Sequence, residues 1–459
     1  MKKSNQLDMT QGKLMPQLIS FTLPLMLSGI IQLLFNAADI VVVGQFAGEQ
    51  SLAAVGSTGS LVTLIVNLFI GISSGTGAVI ARHFGAHDDK RVSDTVHTSI
   101  AVAIAGGIFL TVVGLLISRP ALNWMNCPEN VIDKADLYLK IYFLGMPFLM
   151  LYNFGASALR AVGDTKRPLY FLSLAGVVNV VLNLITVICF HMDVAGVAIA
   201  TVASQIISSG LVVLSLVKTD GCCKLDLKKI RIHWNELKLC LGLGLPAGLQ
   251  SVLFSISNVQ IQSSVNSFGD LAMAGNTAAA NLEGFTYTAM NSVHHTAMTF
   301  ASQNYGAGNI KRMKQVLPRC LALVTFIGVV LGGGIWLFRD ILLLIYTDNP
   351  VAITFGAVKL TWVCLPYVFC GIMETIVGEI RGMGCAIPPM INSLIFACAF
   401  RVFWVMAIFE PMRHLFTEPN AFALLMVSYP ISWILASVVH LIIYYSMRNK
   451  YYKRVVKTL

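Results

Sequence analysis

Phe21 to Gly48, FTLPLMLSGIIQLLFNAADIVVVGQFAG, places Asn36 and Asp39 inside an otherwise apolar run. From Phe21 to Val43 that run is long enough, as a helix, to cross about 30 Å of hydrocarbon. A carboxylate at that depth costs about 3 kcal/mol or more unless it is paired, protonated or wetted, so Asp39 points to ion or proton handling. The alternative is an acid that snorkels to the interface, since nine residues separate it from the polar exit at Gly48. Asn179 and Asn183 stand four apart and share one helix face. Beside Asp39 they offer carbonyl oxygens to a small hard cation, or hydrogen bonds to a carboxyl group that cycles its proton. Membrane helices also use Asn simply as glue between neighbours. Thr201, Tyr152 and Asn153 are weaker polar candidates, each with packing as its ordinary role. Glu283 falls thirteen residues beyond Asp270, roughly 20 Å along a helix and near mid-membrane. It faces a wet cavity, is protonated, or pairs with Arg401, a purely structural ion pair being the alternative. Glu374, two turns before Arg381, is closer to an interface, and Glu379 belongs to the boundary. His83, His87, His97 and the His294-His295 pair lack carboxylate-backed ligand spacing, so core or interface histidine is the default and no metal site is expected.

The elements that hold these residues follow from composition. With 56% hydrophobic and 12% charged side chains in 459 residues, the chain carries more apolar surface than a soluble core of this size uses. The net charge of +10 does not indicate nucleic acid, because the basic residues lie in short loops between apolar runs. Ten scattered Cys without a CxxC pattern argue against a disulfide framework or a zinc site. The first apolar run is too long for a signal peptide and is expected to remain as a helix. Nineteen Met and 25 Phe suit both lipid-facing helices and a soft cavity.

Apolar runs separated by polar breaks predict about twelve spans: 17–45, 52–81, 94–118, 133–159, 168–190, 194–217, 237–267, 271–304, 315–338, 353–380, 388–410 and 422–447. The runs are too long for barrel strands, so the expected fold is an all-α polytopic membrane protein. One set of loops and ends, from Lys2, Lys3 and Lys13 to Lys453, Arg454 and Lys457, holds 25 of the 32 basic residues, against six on the other side and Arg401 within a span. Both termini are therefore expected to be cytoplasmic, in a multi-pass protein of the cell membrane.

The basic loop Lys218 to Glu236 falls at the middle of the chain. It suggests a six-helix lobe over 1–217, a linker over 218–236 and a second lobe over 237–459. A shift of 221 residues lays Gly85-Ala86 on Gly306-Ala307, Lys90-Arg91 on Lys311-Arg312, Arg160 on Arg381, Gly163 on Gly384 and Pro168 on Pro389. Pro24 and Pro147 meet Pro246 and Pro366 within two residues of it. Parallel repeats of an even number of spans, related by a pseudo-twofold axis along the membrane normal, favour a transporter. The halves differ where chemistry is expected. Asp39 falls near Gln260, which is not an acid, while Val62, Asn153 and Val180 fall on Glu283, Glu374 and Arg401. No GxxxxGK[ST] is present, so an ion gradient, a partner or the substrate's own gradient must supply the drive.

Six stretches carry a family resemblance: LPLMLSGIIQLLFNAADIVVVGQFAGEQSLAAVG, GAVIARHFGAHDDKRV, ASALRAVGDTKRP, GVAIATVASQ, SQNYGAGNIKRM and GEIRGMGCAIPP. In order, and across essentially the whole chain, the sequence resembles the multidrug and toxic compound extrusion (MATE) family. The resemblance implies two six-helix lobes around a cavity that opens alternately to each side, exporting cationic amphipathic compounds in exchange for sodium or protons and needing no other cofactor. By the same resemblance Asp39 matches the acid of the first helix, Pro24 the proline at which that helix bends, and Asn179 and Thr201 its polar partners. Asn183 stands where some members carry aspartate. Span seven offers Gln260 and Gln262 where a second family pattern places an acid, leaving Glu283 and Glu374 as the charges of that half. The partners expected are small substrates and the lipid bilayer, with no nucleic acid, and the chain is expected to be monomeric. A flippase for lipid-linked saccharides is the alternative; a membrane-embedded enzyme would need a nucleophile and base, or metal ligands, that the sequence does not offer, and a channel would need a filter.

Overall fold

The computed structural model describes residues 7–125 and 127–458; Lys2 and Lys3, counted among the basic ends, lie outside them, as do the side chains of Lys453, Arg454 and Lys457. The described residues form helices and no strand. In chain order these are α1 (Leu14–Val42), α2 (Glu49–Gly85), α3 (Asp89–Trp124), α4 (Glu129–Leu144), α5 (Met146–Ala161), α6 (Lys166–Leu184), α7 (Asp193–Lys218), α8 (Trp234–Asn266), α9 (Asp270–Gly306), α10 (Ile310–Leu337), α11 (Arg339–Leu343), α12 (Pro350–Lys359), α13 (Tyr367–Gly382), α14 (Ile387–Ser393), α15 (Phe400–Trp404), α16 (Glu410–Met412), α17 (Glu418–Met426) and α18 (Ser428–Thr458).

Among the described residues nine stretches are long and apolar enough to cross a membrane, and eleven if each of two bent pairs is one span. The bends, 47° between α4 and α5 and 40° between the α12 stretch and α13, sit at Pro147 and Pro366, where a ring in place of an N–H breaks the hydrogen-bond ladder. The twelfth expected span is α9. Its 37 residues are long enough, but Asn276, His294, Gln303 and Asn304 make it too polar for lipid, and all four are buried against neighbouring helices instead.

The chain forms two compact units, Met1–Asp8 with Leu27–Gly248 and Met9–Met26 with Leu249–Leu459. Each fixes an entering segment with an arginine at the same register of the repeat. In the first unit the basic segment ahead of α8 folds onto α7 and α3: Leu225 N–H bonds Leu216 O of α7 (3.1 Å), while Asp226 N–H bonds His97 Nε2 (3.1 Å) and His233 N–H bonds Thr98 Oγ1 (3.0 Å) of α3. The Lys228 amide donated to Asp226 holds that exposed carboxyl below its usual range. Glu236, in the first turn of α8, is buried between His83 Nε2 (2.8 Å), Arg91 Nε (2.9 Å) and Thr95 Oγ1 (3.2 Å). In the second unit Arg312 donates to Met9 O, Gly12 O and Gln11 O at 2.7, 2.7 and 2.8 Å and to Gln17 Oε1 at 2.6 Å. Asp88 and Asn309 accept from the amides of Arg91 and Arg312, each at 3.1 Å, as equivalent helix caps.

Candidate functional site

Two groups of polar residues lie at membrane depth, one in each unit. In the first unit Phe35 of α1 lies against Gly176 of α6, where a Cβ would fall on the phenyl ring; the missing side chain lets the helices approach. One turn beyond Phe35 and two beyond Gly176, on the same faces, Asp39 meets Asn183. Asn183 Nδ2 donates to Asp39 Oδ1 at 2.5 Å and lies 3.5 Å from Asn179 Oδ1. Asn183 is fully buried, and its own Oδ1 has no hydrogen-bond partner among the described residues. The site therefore offers a carboxylate and an unsatisfied carbonyl oxygen, with Asn179 Oδ1 next to them, a donor set of the hard oxygens that small cations take.

Val42, Val43, Val187 and Val197 close the surroundings, with Tyr138 packed on them. A π-helical turn follows each partner, Val43–Ala47 after Asp39 and Ile185–Cys189 after Asn183. Such wide turns re-aim side chains and recur at functional sites.

Other expected residues of this unit are occupied elsewhere. The Thr201 hydroxyl donates to Val197 O (2.9 Å), one turn back in its own helix. Asn153 Nδ2 donates to Leu149 O (3.0 Å) in the same way. Tyr152 is buried in an apolar cluster, with its hydroxyl 3.4 Å from Pro168 O. Pro24 lies inside α1, in the part of that helix that belongs to the second unit.

In the second unit the expected pairing of Glu283 with Arg401 gives way to a different one. Glu283 Oε1 meets Lys359 Nζ at 3.3 Å, and Lys359 also reaches Asn276 O (3.4 Å). Lys359, counted from sequence with the outer basic residues, is 6% exposed at the end of α12. A π-helical turn, Leu360–Cys364, follows it directly. Arg401 instead donates from Nε to Ser432 Oγ (3.0 Å), with its guanidinium carbon 4.2 Å from the Tyr429 ring centre and 5.7 Å from that of Trp433. Glu374 stands by His294, whose Nδ1 is 3.5 Å from Glu374 Oε2 and 2.7 Å from Glu374 O. Arg381 donates to Gln250 Oε1 (2.8 Å), and Glu379 is fully buried and accepts from Tyr444 (3.3 Å). Gln260 is exposed on α8, while Gln262 accepts from Asn276 Nδ2 at 3.0 Å. Among the described residues no group of three His, Cys, Asp or Glu side chains is placed to hold a metal ion.

Sequence reasoning missed Lys359 and His294 as neighbours of the buried acids. For Lys359 a signal existed: Asn349-Pro350 is a helix start, with Asn349 Oδ1 accepting from Val351 N–H (2.9 Å), and it puts Lys359 in the last turn of the following helix, beyond the outer loop.

The MatE family model matches residues 24–185 and again 246–406, so the two matches begin 222 and end 221 residues apart, the same spacing as the internal repeat. The "Probable multidrug resistance protein YpnP" of Bacillus subtilis is 30% identical over 399 residues, covering 87% of this chain and 88% of that protein. The "Probable multidrug resistance protein NorM" of Thermotoga maritima is 26% identical, over 83% and 82% of the two chains. A protein of Shewanella oneidensis described as "FAD transporter" is 23% identical, over 72% and 74%. Among solved structures, an outward-facing multidrug resistance MATE family transporter of the MOP superfamily superposes with a TM-score of 0.90 at 20% identity, over 99% of this chain and 100% of that one, and so shares its fold. With the repeat matched twice and a 30%-identical relative covered nearly end to end, the chain belongs to the MatE family, and it is a multi-pass membrane transporter rather than an enzyme.

Proposed function

We propose that this chain exports cationic amphipathic compounds by alternating access in exchange for sodium or protons, and that Asp39 is the seat of the coupling ion. The observation that carries the reading is the Asp39–Asn183 contact, with Asn183 Oδ1 buried and unpartnered beside it. A carboxylate next to unsatisfied oxygens gains a partner when a cation arrives, or sheds its charge when a proton does. Coupling requires that the ion bind the two conformations with different affinity, because equal affinity shifts nothing. The names of the bacterial relatives support export of drug-like compounds, and both termini are taken as cytoplasmic from the charge distribution. The MatE family match and the names of these relatives favour export over the flippase alternative.

The test is efflux of a fluorescent cationic dye from reconstituted vesicles, with sodium and proton gradients imposed separately. Wild type should respond to at least one gradient, and Asp39→Asn should lose at least about ten-fold of the driven rate, the scale of a coupling of 1–3 kcal/mol. An Asp39→Asn protein that is folded and still exports at the wild-type rate would refute the assignment.

A further inference from the structure

We infer that Arg401 binds the anionic group of a substrate, so that the second unit accepts planar aromatic compounds bearing a carboxylate in addition to the cations proposed above, a reading that rests on the export function. Arg381, the other buried arginine of this unit, donates to the neutral Gln250 Oε1 and has its Nε sealed away, whereas the buried lysine and carboxylates have partners. Lys359 is held by Glu283, Glu374 stands by His294, and Glu379 accepts from Tyr444. Arg401 has no carboxylate within salt-bridge reach among the described residues, although only 6% of it is exposed. Among the described residues its one hydrogen bond is from Nε to Ser432 Oγ (3.0 Å), which leaves the two terminal nitrogens without an acceptor there. Those nitrogens are not sealed away, since they are absent from the buried, unpartnered atoms.

A guanidinium cannot shed its charge, so at membrane depth it needs compensation from something that arrives. Tyr429 at 4.2 Å and Trp433 at 5.7 Å supply part of it through their ring faces. They also fix the plane of the fork, whose free edge matches the two oxygens of a carboxylate. Tyr367 continues the aromatic surface, 5.1 Å from Trp433 and 6.3 Å from Tyr287 between ring centres. π-helical turns flank Arg401 on both sides, Leu394–Ala399 and Val405–Phe409. An arginine serving only to brace α18 would use the same Tyr429, Ser432 and Trp433 contacts but would not distinguish an anionic substrate from a neutralised one.

The experiment compares an aminoxanthene dye carrying a free carboxyl group with its ethyl ester, which shares the rings and the cation but lacks the anion. Export of each is measured in vesicles of phosphatidylcholine alone, so that no anionic headgroup competes for the arginine. In Arg401→Gln the ratio of KM for the acid to KM for the ester should rise at least about ten-fold, as expected for loss of a bidentate charge-assisted pair. Arg401→Lys keeps the charge without the fork and should raise the ratio by less. If Arg401→Gln does not insert, Arg401→Lys and Ser432→Ala carry the same test. A ratio that stays at its wild-type value in every inserted variant overturns the inference, as does a wild type that exports the ester and not the acid. A wild type that exports neither dye under either gradient removes the export reading itself.

Discussion

The first unit gathers one carboxylate and two amides where α1 meets α6, whereas the second distributes carboxylates and cations over α9, α12, α13 and α15. Both rest on the same frame. The equivalent prolines, the caps Asp88 and Asn309, and the gripping arginines Arg91 and Arg312 recur at the repeat spacing. Duplication has kept what bends and anchors the helices and has let the charges diverge. The energetic consequence differs between the two. A lone acid beside an unsatisfied amide can gain or lose an ion without stranding another charge. An ion pair such as Glu283–Lys359 cannot release one member without leaving the other buried, so the first unit is suited to reversible loading and the second to holding a fixed field.

The comparison breaks most sharply at that pair. Glu283→Gln or Lys359→Met alone should destabilise the protein by about 3–5 kcal/mol, because each leaves a buried charge uncompensated. The double variant should recover most of that loss, since two neutral groups of similar volume replace the pair at little net cost. Thermal unfolding of the three variants in detergent measures it. Single variants that unfold with wild type would mean water already screens both charges, and the contrast between the units would fall.

A smaller effect is expected in the first unit. Asn183→Ala removes the donor to Asp39 and the free oxygen together. A contact between that oxygen and a charged ion contributes about 1.5–3 kcal/mol, so affinity for sodium should fall roughly ten- to hundred-fold. Asn179→Ala should cost less, because its oxygen lies at 3.5 Å, the outer limit of a hydrogen bond. Ion-dependent quenching of a bound dye gives both affinities, and the reverse order would place the cation nearer Asn179.

Much of this was legible in the sequence. The lengths of the apolar runs marked the rods, the 221-residue shift exposed the repeat, and the four-residue spacing of Asn179 and Asn183 offered both as neighbours of Asp39, of which Asn183 makes the contact. What failed has a physical reason. The Glu283 partner depends on which helices lie side by side, and α9 packs on α12, so Lys359 reaches it while Arg401 turns to α18. The basic segment 218–236 was visible as a loop, but its anchoring by Glu236 was not, because His83, Arg91 and Thr95 lie more than 140 residues away. α9 was expected as a span from its length and place, and its polarity is explained only by the helices that bury it.

Thr201 offers the finest test of how far the first site extends. The family resemblance makes it a partner of Asp39, yet its hydroxyl proton is already donated to Val197 O at 2.9 Å within α7. Back-bonded hydroxyls of this kind are common in membrane helices and satisfy themselves locally. The oxygen keeps its lone pairs, however, so a cation seated at Asp39 would still have a use for it. Thr201→Val conserves the shape and removes only that oxygen. If the site ends at Asp39, Asn179 and Asn183, the ion affinity of Thr201→Val should stay within about two-fold of wild type, well below the tenfold that 1.4 kcal/mol represents. A fall comparable to that of Asn183→Ala would make Thr201 a ligand and enlarge the site from α1 and α6 to α7.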